Sequence, residues 1–386
     1  MQITEGIAYI GVNDHKIDLF EGQYDVRQNG MSYNSYVVLG QKVAVMDSVD
    51  GGFVDEWLGK LDAVLDGRTP DYLVVHHMEP DHSAGIAAFM ERYPAAQVVA
   101  SAPAFKMMAA YFGTDFADRR VIAKEGFELD LGGLSLTFIG AANVHWPEVL
   151  FSFETTTRTL FSADGFGKFG ALDVEDPEGW ACEARRYYFG IVGKFGRNVQ
   201  AVLKKAAALD IARICPLHGP VLDQDLGYYL DLYNTWSSYE PEDKGVTVCF
   251  SSVYGHTRQA ALELACALEE RGQKVSVFDL ARDDMAEAVE DAFRYDRLVL
   301  ASVTYNGDVF PFMSTFIHTL AEHAYQNRTV ALMESGTWAP AAAKAMRAQL
   351  EQMKGLTVAE QVVTVRGALD DASRAQICAL ADELSK

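Results

Sequence analysis

The chain has 386 residues, more than one ordinary core holds, so two domains are expected. Hydrophobic residues make up 49% and charged residues 23%, a globular composition with no apolar run long enough to suggest a membrane span. The net charge of −21 would repel phosphates, which argues against nucleic acid as a partner. The five cysteines (Cys182, Cys215, Cys249, Cys266, Cys378) are scattered, odd in number and never in a CxxC pair. That spacing argues against a disulfide framework, a cysteine zinc site or a cysteine-ligated iron module. Together with an N-terminus that lacks a signal-peptide pattern, it points to the cytoplasm.

In chain order, NSYVVLG and KVAVMDS read as a hairpin over 34–47. YLVVHH, QVVAS, LSLTFIG, VLFSFE and TLFSAD follow as further strands. Ser83–Arg92 and Trp180–Ala208 have helical character. Strands with helices outside them fit a layered αβ domain. SSYEPEDKG (237–245) has almost nothing to bury and reads as a linker, dividing the chain into domains 1–243 and 244–386. Beyond it, VTVCF, KVSVFDL, RLVLASV, TVALME and AEQVVTV alternate with helical segments. In the first of these helices Ala261, Leu264, Ala265 and Leu268 share a face. This is the pattern of a doubly wound parallel sheet, whose ligands bind at the carboxyl ends of the strands.

Four of the nine histidines sit where strands hand over to loops, the positions a rigid sheet can aim at chemistry. HMEPDH presents His77, Glu79, Asp81 and His82 after one strand. His145, Asp164 and His218 follow at later strand ends. Any one of these could be an ordinary polar residue, but the set reads as a metal site. His76 is the exception, since alternation turns it to the opposite face. Carboxylates among histidines suit iron better than the nitrogen and sulfur donors that zinc favours.

Three loops rich in hydroxyls and glycine lie at strand ends in the second half. In SSVYGHT, Ser251, Ser252, Val253, Tyr254, Gly255, His256 and Thr257 precede an amphipathic helix, and the backbone N–H groups there can cradle an anion. Thr304, Tyr305, Asn306, Gly307 and Asp308 form the second loop; Ser335, Gly336, Thr337 and Trp338 form the third. GFGKFG (165–170) matches GxGxxG, but no helix follows it, so it reads as a flexible loop beside Asp164 rather than a dinucleotide site.

The HxExDH segment is similar to the HxHxDH motif of the metallo-β-lactamase superfamily, with Glu79 replacing the second histidine. That variant, with YNSYVVLG, HWPE, LFSADGFG and LHGP, specifically resembles the flavodiiron family, also called A-type flavoproteins. The resemblance covers nearly the whole chain. It implies an N-terminal αββα metallo-β-lactamase-like sandwich and a C-terminal flavodoxin-like domain binding FMN. By it, His77, Glu79 and His145 bind one iron, Asp81 and His218 the second, and Asp164 bridges them. His82 is a ligand in some members only. Trp146 and Tyr187 or Tyr188 stand near the pocket. The first loop takes the FMN phosphate, and the other two flank the isoalloxazine ring. Two positions depart from the family: His256 replaces a serine or asparagine, and SGTW replaces SYGW.

The implied activity is reduction of dioxygen to water, of nitric oxide to nitrous oxide, or of both. The implied partners are a separate electron donor, such as rubredoxin or a reduced deazaflavin, and a second copy of the chain. That copy is arranged head-to-tail, in a dimer or a dimer of dimers, so that Trp338 beside FMN faces Glu79 of the other subunit. Two alternatives share the fold: a binuclear zinc hydrolase fused to a flavodoxin-like redox module, and an electron-transfer flavoprotein with an inactive metal domain.

Overall fold

The computed structural model describes residues 1–386, which divide between two units. The first comprises Met1–Tyr188 and Phe195–Asn234; the second comprises Phe189–Lys194 and Thr235–Lys386.

Besides the two-stranded pairs Val12–Asp14 with Met31–Tyr33 and Leu19–Phe20 with Tyr24–Asp25, the first unit holds two large sheets. One runs β1 (Gln2–Thr4), β2 (Ile7–Tyr9), β3 (Tyr36–Leu39), β4 (Val43–Met46), β5 (Tyr72–Val75), β6 (Gln97–Ser101) and β7 (Arg120–Ala123), each beside the next. β3 and β4 form the expected antiparallel hairpin, Tyr36 opposite Met46, and β4 to β7 are parallel. The other sheet runs β8 (Glu128–Asp130), β9 (Ser135–Gly140), β10 (Leu150–Glu154), β11 (Thr159–Phe161) and β12 (Arg213–Cys215).

Alternation builds the core. Tyr36, Val38, Ala44, Met46 and Val74 point one way and meet Leu136, Phe138, Leu150 and Phe161 of the second sheet in one buried cluster. Their neighbours Val37, Val43, Val45 and Leu73 are buried too, so both faces of the first sheet are covered. The helix α1 (Val54–Leu65) buries Trp57, Leu58, Leu61 and Leu65, an i, i+1, i+4, i+8 stripe. This is a sandwich with helices outside.

Ser83–Arg92, read as one helix, is two: the one-turn α2 (Pro80–Ser83) and α3 (Ile86–Arg92), with α4 (Ala102–Phe112) following the next strand. Pro80 sits at the first helical position, where its missing N–H costs nothing. Trp180–Ala208 is also interrupted. α5 (Trp180–Tyr187) passes into a π-turn over Tyr188–Val192 and a tight turn over Gly193–Phe195 before α6 (Gly196–Ala206). Gly190, Gly193 and Gly196 weaken the continuous helix. α7 (Leu226–Ser237) closes this part of the chain.

In the second unit, apart from the short antiparallel strand Asp308–Val309, the main strands are β13 (Asp243–Ser251), β14 (Val275–Asp279), β15 (Tyr295–Tyr305), β16 (Thr329–Ser335) and β17 (Thr357–Val365). All are parallel, in the order β14-β13-β15-β16-β17. The helices α8 (His256–Glu269), α9 (Met285–Arg294), α10 (Pro311–Glu322), α11 (Ala342–Leu350) and α12 (Asp371–Leu384) connect or close them. Ala261, Leu264 and Leu268 of α8 pack onto Val248, Phe250, Val299 and Met333, the face expected from their spacing. Strand direction of travel reverses at β13, so the ends of β13, β15 and β16 open together beside a switch point.

Candidate metal centre and flavin loops

Each metal-ligand candidate is held at the carboxyl end of a strand or in the turn after it. His77 follows β5, and Glu79 caps α2, which carries Asp81 and His82. His145 lies beyond β9, Asp164 beyond β11 and His218 beyond β12. The fold gathers all seven into two adjoining clusters. His77, Glu79, His145 and Asp164 form one; Asp81, His82 and His218 form the other.

In the first cluster His77 Nε2 lies 3.2 Å from His145 Nε2 and 3.2 Å from Glu79 Oε2. His145 Nε2 is 3.0 Å from Glu79 Oε2. In the second, His82 Nε2 and His218 Nε2 are 3.0 Å apart, and each is 3.3 Å from Asp81 Oδ2. Asp164 stands between the clusters. Its Oδ2 is 2.9 Å from His145 Nε2 and 3.4 Å from His77 Nε2, while its Oδ1 is 3.3 Å from His82 Nε2.

Every one of these side chains is buried except Glu79, which is half-buried. Burial alone would lower the pKa of His77, but Asp164, Glu148 and Glu79 raise it well above the usual imidazole range. Burial also opposes charge on His145, yet Asp164 and Glu79 push it up to about 9. The Asp164 carboxyl, which burial would raise, is pulled well below its ordinary range by His77 and His82. The common cause is a concentration of carboxylates that calls for positive charge. Cations between these nitrogens and oxygens meet the same demand and leave the imidazoles neutral. Both Asp81 oxygens and Asp164 Oδ1 are buried without a hydrogen-bond partner, so the donor set fits a pair of metal ions.

A supporting shell was not anticipated from the sequence. Glu148 Oε1 lies 2.8 Å from His77 Nδ1 and also accepts from Met78 N at 2.9 Å. The Ser32 carbonyl accepts from His218 Nδ1 at 2.7 Å. Such contacts fix the tautomer and turn Nε2 toward a metal. His82 Nδ1 is buried and has no such partner. His76 does face away: its ring bonds Asp47 at 2.5 Å and Ser152 Oγ at 2.8 Å, and Asp47 Oδ1 also accepts from His76 N at 2.7 Å. The only advance signal for Glu148 was its place in HWPE.

Aromatic rings wall the site. Trp146 meets His77 edge-on at 5.2 Å between centroids, and Tyr187 packs 5.5 Å from His218. The Tyr187 hydroxyl is fully buried without a partner, and its pKa is raised well above normal, first by burial and then by Asp164, Glu79 and Asp81. GFGKFG is not a loose surface loop: residues 165–170 are all buried, and Phe166 N–H donates to Tyr233 Oη at 2.5 Å.

In the second unit, Gly255 caps α8 with φ 92°, a left-handed backbone where a side chain would strain. Its N–H donates to Ser252 Oγ at 3.1 Å. The first N–H groups of α8, beginning at His256, have no side-chain cap and remain available to an anion. Ser251 Oγ is buried and has no partner. Thr257 Oγ1 and Ser335 Oγ, 2.8 Å apart, tie the first loop to the third, and Thr304 Oγ1 accepts from Ala341 N at 3.0 Å. Asn306 and Gly307 have positive φ and form the two-residue turn of a short hairpin that pairs Tyr305 with Asp308. Tyr254 and Trp338 are 89% and 91% exposed, an unusual amount of bare aromatic surface at one set of strand ends. An anion cradle, an orphaned hydroxyl and bare rings fit a phosphorylated planar ligand.

Residues 31–219 match the family model described as ODP family beta lactamase, and residues 247–373 match that of a flavodoxin domain. A protein named nitric oxide reductase from Moorella thermoacetica is 29% identical over 372 residues, covering 94% of this chain and 92% of that one. Diflavin flavoprotein A 1 of Synechocystis sp. is 32% identical over 294 residues, covering 75% of this chain but only 51% of that longer protein. Among solved structures, the rubredoxin oxygen:oxidoreductase from Desulfovibrio gigas superposes with a TM-score of 0.92 at 22% identity, over 100% of this chain and 97% of that one. The flavodiiron protein from Giardia intestinalis gives 0.91 at 22% identity, over 99% and 95%. At such identity these structures speak to the fold. With both halves matched in order by family models and relatives aligned along almost the full length, the chain belongs to the flavodiiron protein family.

Proposed function

We propose that the chain is a flavodiiron reductase that reduces dioxygen to water, nitric oxide to nitrous oxide, or both. The observation that carries this is the division of Asp164, with one carboxylate oxygen turned to each cluster. A carboxylate so placed offsets the repulsion between two cations, and the oxygen-rich set around it suits iron. His77, Glu79 and His145 would hold one iron, and Asp81 and His218 the other, with His82 beside that second set and the Asp164 carboxylate shared between the two clusters. When bound, the two irons and FMN together supply the electrons that either gas requires.

The chain's own residues bind, orient and shield. Glu148 and the Ser32 carbonyl keep the Nε2 atoms of His77 and His218 aimed inward. Trp146, Tyr187 and their neighbours keep bulk water from the centre, which strengthens its electrostatics. The buried Tyr187 hydroxyl is a hydrogen-bond donor for a small bound gas. In the second unit, Ser251–Thr257 hold the FMN phosphate, and the loops 304–308 and 335–338 line its ring.

The electron donor is a separate molecule such as rubredoxin or a reduced deazaflavin, and the working form is a head-to-tail homodimer or a pair of them, in the cytoplasm. The name of the Desulfovibrio gigas protein supports rubredoxin, and that of the Moorella relative supports nitric oxide. No helix is long and apolar enough to cross a membrane. Steady-state turnover of each gas with a saturating donor tests the reading; consumption of neither gas by protein loaded with iron and FMN would overturn it.

A further inference from the structure

The groove between α8 and α12 reaches Gly255 of the first loop at one end and carries an unusual pair of thiols farther along α8. Glu263 bonds Arg374 at 3.1 Å, and Arg271 bonds Asp382 at 2.8 Å. The partners in both ion pairs are 111 positions apart, so the two helices run parallel in one register. Cys266 falls between Glu263 and Arg271. Cys378 falls between Arg374 and Asp382. Both thiols therefore occupy the same short stretch of the helix pair.

Both cysteines are free and exposed, and both line the same 560 Å³ groove with Glu263, Glu270 and Arg374. Ala267 and Ile377, which line it too, are buried in the seam below, and the small Ala267 and Ala381 let the helices pack closely. Cysteine is ordinarily among the most buried residues, as Cys215 and Cys249 are here. Two exposed ones in one groove are placed for chemistry rather than packing.

We infer that Cys266 and Cys378 form a redox-active dithiol, a modification site that hydrogen peroxide converts to an intrachain disulfide joining α8 to α12. One thiolate attacks a peroxide oxygen; the O–O bond breaks, the sulfur becomes a sulfenic acid and the first water leaves. The second thiolate attacks that sulfur; the S–S bond forms, the S–O bond breaks and the second water leaves. Two electrons pass from the sulfur pair to the peroxide, and the two thiol protons end in the waters. The bond requires Cα atoms within roughly 7 Å, so the chemistry also measures how closely α8 and α12 approach. The inference is independent of the metal and flavin assignments.

The test uses the full-length protein as isolated. It is treated with hydrogen peroxide, quenched with catalase, alkylated, and digested with trypsin without reduction. The expected result is residues 259–271 and 375–386 recovered as one disulfide-linked pair that dithiothreitol separates. Recovery of both peptides separately alkylated, or joined only between chains on a non-reducing gel, overturns the inference. Cys266→Ser supplies a second reading. Without its partner, Cys378 should advance to the sulfinic or sulfonic acid; if Cys378 instead gives the same product with and without Cys266, the two thiols do not act as a pair.

Discussion

Glu148 and His77 are joined by a 2.8 Å contact between Oε1 and Nδ1, and neither side chain reaches solvent. The same oxygen accepts from Met78 N, while Glu148 Oε2 has no partner at all. One oxygen thus does both tasks. Glu148→Gln can retain it and should keep most of the metal. Glu148→Ala leaves the His77 ring unanchored, and metal affinity should fall about 10- to 100-fold. Equilibrium dialysis against a competing chelator measures both, and equal losses in the two variants would contradict the role assigned to that oxygen.

Asp164 supports a prediction about independence. Asp164→Ala removes the only carboxylate shared between the clusters and leaves two cations to repel each other. Metal content and gas reduction should both collapse. FMN should remain bound and reducible, because the second unit has its own buried core. Iron and flavin are measured on the same sample, and parallel loss of the two would refute the separation.

Much of this cluster was legible because polar residues at strand ends are marked by a change in pattern. Apolar YLVV gives way to HMEPDH within one residue, and LHGP interrupts another strand end in the same way. The supporting shell was not legible. Glu148 and Asp47 are lone carboxylates whose roles depend on which strand lies beside them, and the Ser32 contact is a backbone carbonyl with no side-chain signature. The earliest strands, Gln2–Thr4 and Ile7–Tyr9, are too short to show a period. The Asn306-Gly307 turn had a recognisable hairpin signal, but the hydroxyls around it drew the reading toward a binding loop alone. Cys266 and Cys378 stand exposed while Cys215 and Cys249 are buried, and a helix's exposed rim cannot be told from its seam by one residue type.

Metal identity separates the reductase from a hydrolase on the same fold. Glu79, Asp81 and Asp164 predict two irons per chain in protein made in iron-replete cells. Elemental analysis checks it. Stoichiometric zinc without iron, accompanied by ester or lactam hydrolysis, would move the assignment to a binuclear hydrolase.

The flavin loops predict FMN, with neither FAD nor a nicotinamide dinucleotide. Trp338 is 91% exposed, so Trp338→Ala should change stability by no more than about 0.5 kcal/mol while altering the flavin spectrum and weakening FMN binding. Heat release and chromatography identify the flavin, and denaturant melts report stability. Recovery of FAD, or unchanged FMN affinity in Trp338→Ala, would count against the loop assignment.

The head-to-tail arrangement predicts rescue between two inactive variants. One chain lacks metal through His77→Ala with Asp164→Ala. The other carries Gly255→Glu, which sets a negative charge where the phosphate would sit. Nothing lies within 4 Å of a Cβ added at Gly255, and its φ of 92° strains any replacement, so Gly255→Ala serves as the control for backbone strain alone. Each variant by itself should be nearly inactive. In a mixed dimer, the intact flavin of the first chain faces the intact metal centre of the second, restoring one working site of two. Co-expression with different tags and sequential affinity purification isolates that species. Activity near half that of the unmodified protein supports transfer between subunits. A mixed dimer that carries iron and FMN in the intended chains yet stays inactive would place electron transfer within each chain and remove the head-to-tail arrangement from the proposal.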